Sequence, residues 1–329
     1  MSSAPPAKRR RTESEDEGDQ PVIVRSTEYW FDDGNVILQV QSTQFRLTRS
    51  FLAMHSPVFR DMFSLPLPPD EPLVEGCPVV DLPGDTSQDW TYLLRAMFPQ
   101  ECYNPARPLV APICAILRLS KKYDMAGLRR HCLGLLKMEF PTSLEDFDKQ
   151  TLVWTHFSIP DTVTTTVACV EIINLARELG LYSILPGAFY KLLDDEGHKG
   201  LLGDDLAKLN DKQDEVACLK AYVKMSQTFA DGPFSWLGAQ SSISWAGCAT
   251  ASRCASFRNS ILIQVLLDHD LVAMQLQPWA SGAWDNTQCA SCLSKAKASF
   301  DAARKDVWEK LPSYFGLEDW ATLRKMDFE

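Results

Sequence analysis

The sequence predicts an α+β fold: a small sheet with clustered helices in the first 140 residues, then a mainly helical C-terminal half. Three observations carry this expectation. Short apolar or alternating runs bounded by turn residues occur between residues 36 and 82, the pattern of strands. Apolar residues at helical spacing lie between and after those runs. Over residues 160–230 the chain shows only helix-period stripes.

The elements follow in order. Residues 1 to about 25 are rich in Pro, Ser and charge and too poor in apolar residues to bury a core, so a disordered tail is expected. The first folded unit is expected over 29–140. Val36 to Val40 reads as a buried strand after the turn signal Asp33-Gly34. Gln44 to Leu47 alternates polar and apolar, a half-buried partner strand joined to the first through Gln41 to Thr43. Phe51, Leu52 and His55 start a helix. Ser56-Pro57 ends it and opens another, with Ser as cap and Pro at the first helical position. Val58, Phe59, Met62 and Phe63 form that second helix's apolar face.

Residues 64–78 hold five prolines and three acids and read as a loop. Val79 to Leu82 is a third strand. Trp90, Leu93, Leu94, Met97 and Phe98 share a helical face, and a Pro-rich loop follows over 99–108. Ile113, Ile116, Leu117 and Ser120 mark one more helix, and Leu128, Cys132, Leu135 and Leu136 another. A helical region is expected over 160–230. Its stripes are Val163, Val167, Val170 and 173–179, ended by Gly180 as C-cap; then Leu185, Phe189, Leu192 and Leu193; then Val216, Leu219 and Val223. The last region, 231–329, holds six of the nine tryptophans and four of the ten cysteines, which separates it from the plain helical stretch before it.

Bulk composition narrows the function classes. Apolar residues make up 45%, which is ordinary for a folded protein and rules out a wholly disordered one. The net charge of −10 opposes the counterion release that drives nucleic-acid binding, and no direct nucleic-acid partner is expected. No stretch of about 18 apolar residues occurs, so no membrane span is expected. The start lacks an apolar secretory core. Lys8, Arg9, Arg10 and Arg11 form a basic cluster on the tail, a candidate nuclear import signal or simply a solvated charge run. The expected location is nucleus, cytoplasm or both.

No Gly-x-Ser-x-Gly, phosphate-binding loop, dinucleotide fingerprint or His-Glu-x-x-His is present, and the five histidines are scattered. Enzyme activity is not expected. The isolated cysteines Cys77, Cys102, Cys114, Cys132, Cys169 and Cys218 read as small buried hydrophobes. Cys248-x5-Cys254 and Cys289-x2-Cys292, with 34 residues between the pairs, are candidate ligands of a structural zinc. The x2 pair has the usual knuckle spacing and the x5 pair is looser. Arg253, Arg258, Lys295 and Lys297 lie nearby to offset charge. The alternatives are buried or free thiols, since Cys292 also opens an apolar stripe through Ala296, Phe300, Ala303, Val307 and Leu311. His269 is a substitute ligand.

Two blocks resemble a known family. Asn35-Val36-Ile37-Leu38, Phe45-Arg46-Leu47-Thr48-Arg49, Leu52-Ala53, Ser56-Pro57-Val58-Phe59 and Met62-Phe63 look like the opening of a BTB/POZ domain. Leu117 to Met125, with Leu128 and Cys132, looks like its closing helical pair. The flavour resembles the fungal BTB proteins that lack zinc-finger or kelch repeats. The resemblance implies a protein-association module, commonly a homodimer and not catalytic by itself. Some relatives are substrate adaptors that bind the cullin scaffold of a ubiquitin ligase; others recruit transcriptional co-regulators.

The resemblance also implies partner-binding positions. Asn35 stands where the family usually has Asp, and Thr48 where it usually has His. In the transcription-factor branch that Asp and a basic residue at the Arg49 position form a charged pocket. Here the pair would be Asn35 with Arg49, and Arg49 is expected to reach water or another acid. The cullin-binding branch often carries a hydrophobic-x-Glu step after the second helix; Leu67, Asp70 and Glu71 are the candidates, and a poor match. Two functions stay open: a ligase substrate adaptor, or a nuclear transcription-regulatory or scaffolding protein with no ligase link.

Overall fold

The computed structural model describes residues 22–66, 73–98, 107–150, 154–194, 204–229, 231–238, 245–268, 271–279, 284 and 288–327. The chain forms two compact units, Met1–Met54 with Phe59–Trp90, and His55–Val58 with Thr91–Glu329. The α+β architecture is the one the sequence predicts: a small sheet with helices, then a mostly helical remainder.

The first unit is built on a sheet. Its strands are β1 (Val24–Trp30), β2 (Val36–Val40), β3 (Thr43–Leu47), β4 (Leu73–Val74) and β5 (Cys77–Asp81). Their order across the sheet is β1-β3-β2-β5-β4. The β2–β3 hairpin is antiparallel, with Val36 opposite Leu47 and Leu38 opposite Phe45. Gln41 takes a positive φ of 54° at its turn. β5 pairs with β2 in parallel, which requires a crossover; α1 (Arg49–His55) and α2 (Pro57–Ser64) lie in it. The helices break at Ser56-Pro57, as expected. The core of this unit gathers Tyr29, Ile37, Leu38, Phe45, Leu52, Phe59 and Trp90, all buried. Trp90 meets Phe59 edge to face, with centroids 5.9 Å apart, and donates its indole N–H to Asp85 at 2.9 Å.

β1 and β4 are absent from the sequence reading. β1 runs parallel to β3, with Val24 beside Thr43, and begins inside the stretch expected to be a tail. β4 lies in the expected 64–78 loop and pairs antiparallel with β5.

Gly34 is fixed by space. A Cβ there would lie 2.6 Å from Arg46 Cγ and 2.9 Å from the Phe31 carbonyl oxygen. Arg46 in turn donates from Nε to the Gly34 carbonyl at 3.0 Å and from Nη2 to the Asp32 carbonyl at 3.0 Å. Gly34→Ala is therefore expected to destabilise the protein by about 1–3 kcal/mol, the usual scale of overpacking. Denaturant unfolding of the full chain checks this; a loss below about 0.5 kcal/mol would mean the turn relaxes freely.

Helix α3 (Ser87–Met97) ends the first unit and opens the second. The second unit contains α4 (Val110–Lys122), α5 (Ala126–Glu139), α6 (Leu144–Asp148), α7 (Thr165–Leu179), α8 (Leu185–Asp194), α9 (Lys212–Thr228), α10 (Ala251–Asp268), α11 (Ala290–Tyr314) and α12 (Trp320–Met326). α4 packs on α5 and also on α7, which packs on α8. Thr164 caps α7 through the Val167 N–H, and Gly180 ends it at φ 74° in the left-handed region, the expected C-cap. Ser56 donates to the Tyr123 carbonyl at 2.5 Å, just past the end of α4.

Polar ties hold the helices together. Arg177 makes a two-point contact with Asp214, at 2.9 and 2.5 Å. Arg304 on α11 pairs with Asp148 at the end of α6 and donates to the Leu276 carbonyl at 2.8 Å. Glu139, the last residue of α5, pairs with Lys191 of α8.

The third expected helical stripe is corrected. Residues 212–228 are helical, but Val216, Leu219 and Val223 are exposed. The buried side is Asp214, Cys218, Ala221 and Met225. Its apolar members are small or flexible, and its acid is neutralised by Arg177. Among the described residues no helix is long and apolar enough to cross a membrane.

Candidate functional site

The strongest constellation of chemistry-bearing residues lies where α10 and α11 begin. Cys248 sits in the loop before α10, and Cys254 on that helix's first turn. Cys289 is the N-cap of α11 and Cys292 lies three residues into it. The sequence separates the pairs by 34 residues; the fold brings all four sulfurs within 4.8 Å of one another.

Local backbone explains the arrangement. Gly247 has φ +83°, a conformation that L side chains rarely adopt, and it precedes Cys248. The Cys248 N–H bonds to the Trp245 carbonyl at 3.2 Å, and the Cys254 N–H to the Thr250 carbonyl at 3.0 Å. The loose x5 spacing thus spans one loop residue pair and the first helical turn. Cys254 Sγ receives the Cys289 N–H at 3.4 Å and touches Thr250 Oγ1 at 3.3 Å. Cys289 Sγ and Cys248 Sγ are 3.8 Å apart. Lys295 donates to the Ala246 carbonyl at 2.6 Å, and the Arg258 guanidinium lies 4.1 Å from the Trp245 ring centroid.

The thiols differ electrostatically. Backbone N–H groups of Cys292 and Ala249 pull Cys289 down to about 6. The Cys289 N–H and the Thr250 hydroxyl lower Cys254. Burial pushes Cys292 up. By contrast, burial holds Cys132 and Cys218 up at about 12, the state of inert core thiols. Cys77, Cys114 and Cys169 are also buried and unbridged, which matches their reading as small hydrophobes. The four-residue set has the donor chemistry and count of a closed tetrahedral metal site.

The Asn35–Arg49 pair meets differently from expectation. Asn35 Oδ1 accepts the backbone N–H of Arg49 at 2.8 Å, so it caps the start of α1 rather than facing the guanidinium. The Arg49 guanidinium instead lies 5.6 Å from the Phe63 ring centroid. Among the described residues its buried Nε has no hydrogen-bond partner. Stacking on an aromatic face offsets part of that cost. Sequence reasoning missed the cap because it paired side chains by family position, and the contact runs to backbone.

Several sequence candidates lie outside the described residues: Leu67, Asp70 and Glu71 of the loop, Lys8, Arg9, Arg10 and Arg11 of the tail, and also Cys102 and His269.

No curated protein matches the chain. Residues 30–139 match the family model described as BTB/POZ domain. The match opens at Trp30, the last residue of β1, and closes at Glu139, the last residue of α5. It therefore spans β2 to α5, the stretch that carries the sheet, the Ser56-Pro57 break and the α4–α5 pair. Residues 30–139 form a BTB/POZ domain, which supports a protein–protein interaction module in this stretch of the chain.

Proposed function

We propose that the protein pairs with a second copy of itself and acts as a substrate adaptor, joining a cullin ligase scaffold to a client held by its helical remainder. The observation that carries this reading is the packing of α7 on α4 and of α8 on α7. It extends the interaction module's closing helices directly into a helical region, in the manner of ligase adaptors whose BTB domain is followed by helical repeats. The Asn35–Arg49 geometry adds support. Asn35 is uncharged and occupied as a helix cap, so the charged pocket used for co-regulator recruitment lacks its acid.

A second reading, a nuclear regulatory or scaffolding protein, draws on Lys8, Arg9, Arg10 and Arg11. It predicts nuclear accumulation that is lost when those four residues are neutralised.

Affinity capture of the full chain from its own cells separates the two. The comparison is a variant with Leu67→Ala, Asp70→Ala and Glu71→Ala. The adaptor reading expects cullin with the wild type and little or none with the variant. Absence of cullin from both samples, with chromatin or transcription proteins recovered instead, would overturn it. Light scattering of the purified chain is expected to give the mass of two copies, against 37.0 kDa for one.

A further inference from the structure

We propose that Cys248, Cys254, Cys289 and Cys292 hold one zinc ion through four thiolates, a structural clamp joining the N-terminal ends of α10 and α11. The site lies in the helical remainder and is independent of the adaptor reading.

Geometry comes first. A tetrahedral zinc with bonds of about 2.3 Å requires sulfurs about 3.8 Å apart. The Cys248–Cys289 separation is 3.8 Å, and the whole set falls within 4.8 Å. The largest separation must close by about 1 Å, within the reach of small χ1 rotations. A disulfide needs about 2.05 Å between sulfurs, so 3.8 Å marks a pair that is close but not bonded.

Ligand type selects the ion. Four thiolates favour a soft or borderline cation and exclude calcium and magnesium, which take oxygen ligands. All four coordination positions are filled by protein, which leaves none for water or substrate and makes the site structural rather than catalytic.

Charge is the next requirement. Zinc with four thiolates carries two excess negative charges. Each pair of cysteines sits at the start of a helix, of 18 and 25 residues, where the positive end of the dipole and free N–H groups favour an anion. The Cys289 N–H already points at Cys254 Sγ. Lys295, held at the Ala246 carbonyl, adds a cation beside the Cys248 loop.

The clamp also meets a structural need. Beyond their cysteine ends, α10 and α11 share a core of Ile261, Val265, Ala296 and Phe300 with Trp236, Trp279 and Trp284. Two of these tryptophans come from the segment between the helices, whose described residues have little regular structure. An ion that closes the loop from Cys254 to Cys289, which contains α10 and that segment, removes loop entropy from the unfolded chain and so stabilises the aromatic core.

The test is metal analysis of the intact, reduced protein purified without chelator. About one zinc per chain is expected. Exchange with cobalt should give sulfur-to-cobalt charge-transfer bands together with the visible bands of a tetrahedral ion. Cys289→Ser should lower bound zinc about tenfold or more, whereas Cys132→Ser, remote from the cluster, should leave it unchanged. Because Cys289→Ser can also unfold the region, a thiol titration of the wild type is the second measurement. Zinc should be released as the four cluster thiols are modified. Folded protein with little metal and no cobalt thiolate bands would overturn the proposal, as would iron in place of zinc or a disulfide within the set.

Discussion

Glu139→Ala is expected to destabilise the helical unit by about 3–5 kcal/mol, the cost of breaking a buried ion pair from one side. The Glu139 carboxylate is fully buried and pairs with Lys191, whose side chain is 11% exposed. It also accepts the backbone N–H groups of Thr155 at 3.1 Å and His156 at 2.6 Å. Removing it takes the carboxylate away from a buried ammonium and from two backbone donors. The Trp154 ring, with its centroid 4.2 Å from Lys191 Nζ, compensates only in part. Lys191→Met in the Glu139→Ala background should recover a portion of the loss, because it removes the buried charge that the carboxylate had balanced. Equilibrium denaturation of the four-member mutant cycle measures both quantities. A single-variant loss below about 1 kcal/mol, or no recovery in the double variant, would show that water solvates the pair.

Phe300→Ala is expected to cost about 3–5 kcal/mol, the range for deleting a buried aromatic side chain. The ring is fully buried. Its centroid lies 5.6 Å from Phe234, 5.4 Å from Trp279 and 5.7 Å from Trp284, each near edge-on. Deletion removes all three contacts and leaves a cavity among rigid rings that collapse poorly. Trp236→Phe should cost distinctly less. Its buried indole N–H has no hydrogen-bond partner among the described residues, so the substitution gives up area but also removes a donor that none of them satisfies. Denaturant unfolding with near-ultraviolet dichroism as the probe reads both. Equal losses for the two variants would mean that the Trp236 N–H finds a partner in solution.

What was legible in the sequence depended on whether side chains alone set the structure. The β2–β3 hairpin showed itself through the apolar run Val36 to Val40 and the alternation over Gln44 to Leu47, and the α1–α2 break through Ser56-Pro57. The apolar stripe Cys292, Ala296, Phe300, Val307 and Leu311 is buried as its spacing indicated, with Ala303 half-buried. β1 was invisible because Tyr29 is its one buried residue; backbone pairing with β3 holds it, and backbone bonds leave no side-chain pattern. The buried side of α9 was misplaced because hydrophobic periodicity ranks Asp214 as outward, whereas Arg177 makes its burial tolerable. Among the four cysteines, spacing identified two pairs. Only the tertiary packing of α10 and α11 brings them to one point.

The β1 strand and the Glu139 network bear on where the protein can be cut. The family match opens at Trp30 and closes at Glu139. A fragment with those ends would lose Val24 to Tyr29, baring the edge of β3 to any strand that can pair with it. At its other end it would keep the Glu139 carboxylate but lose Lys191, Thr155 and His156, and it would strip α7 from α4. The stretch shared with a family and the body that folds therefore have different ends. Useful truncation points lie upstream of Val24, and none lies between α5 and α8.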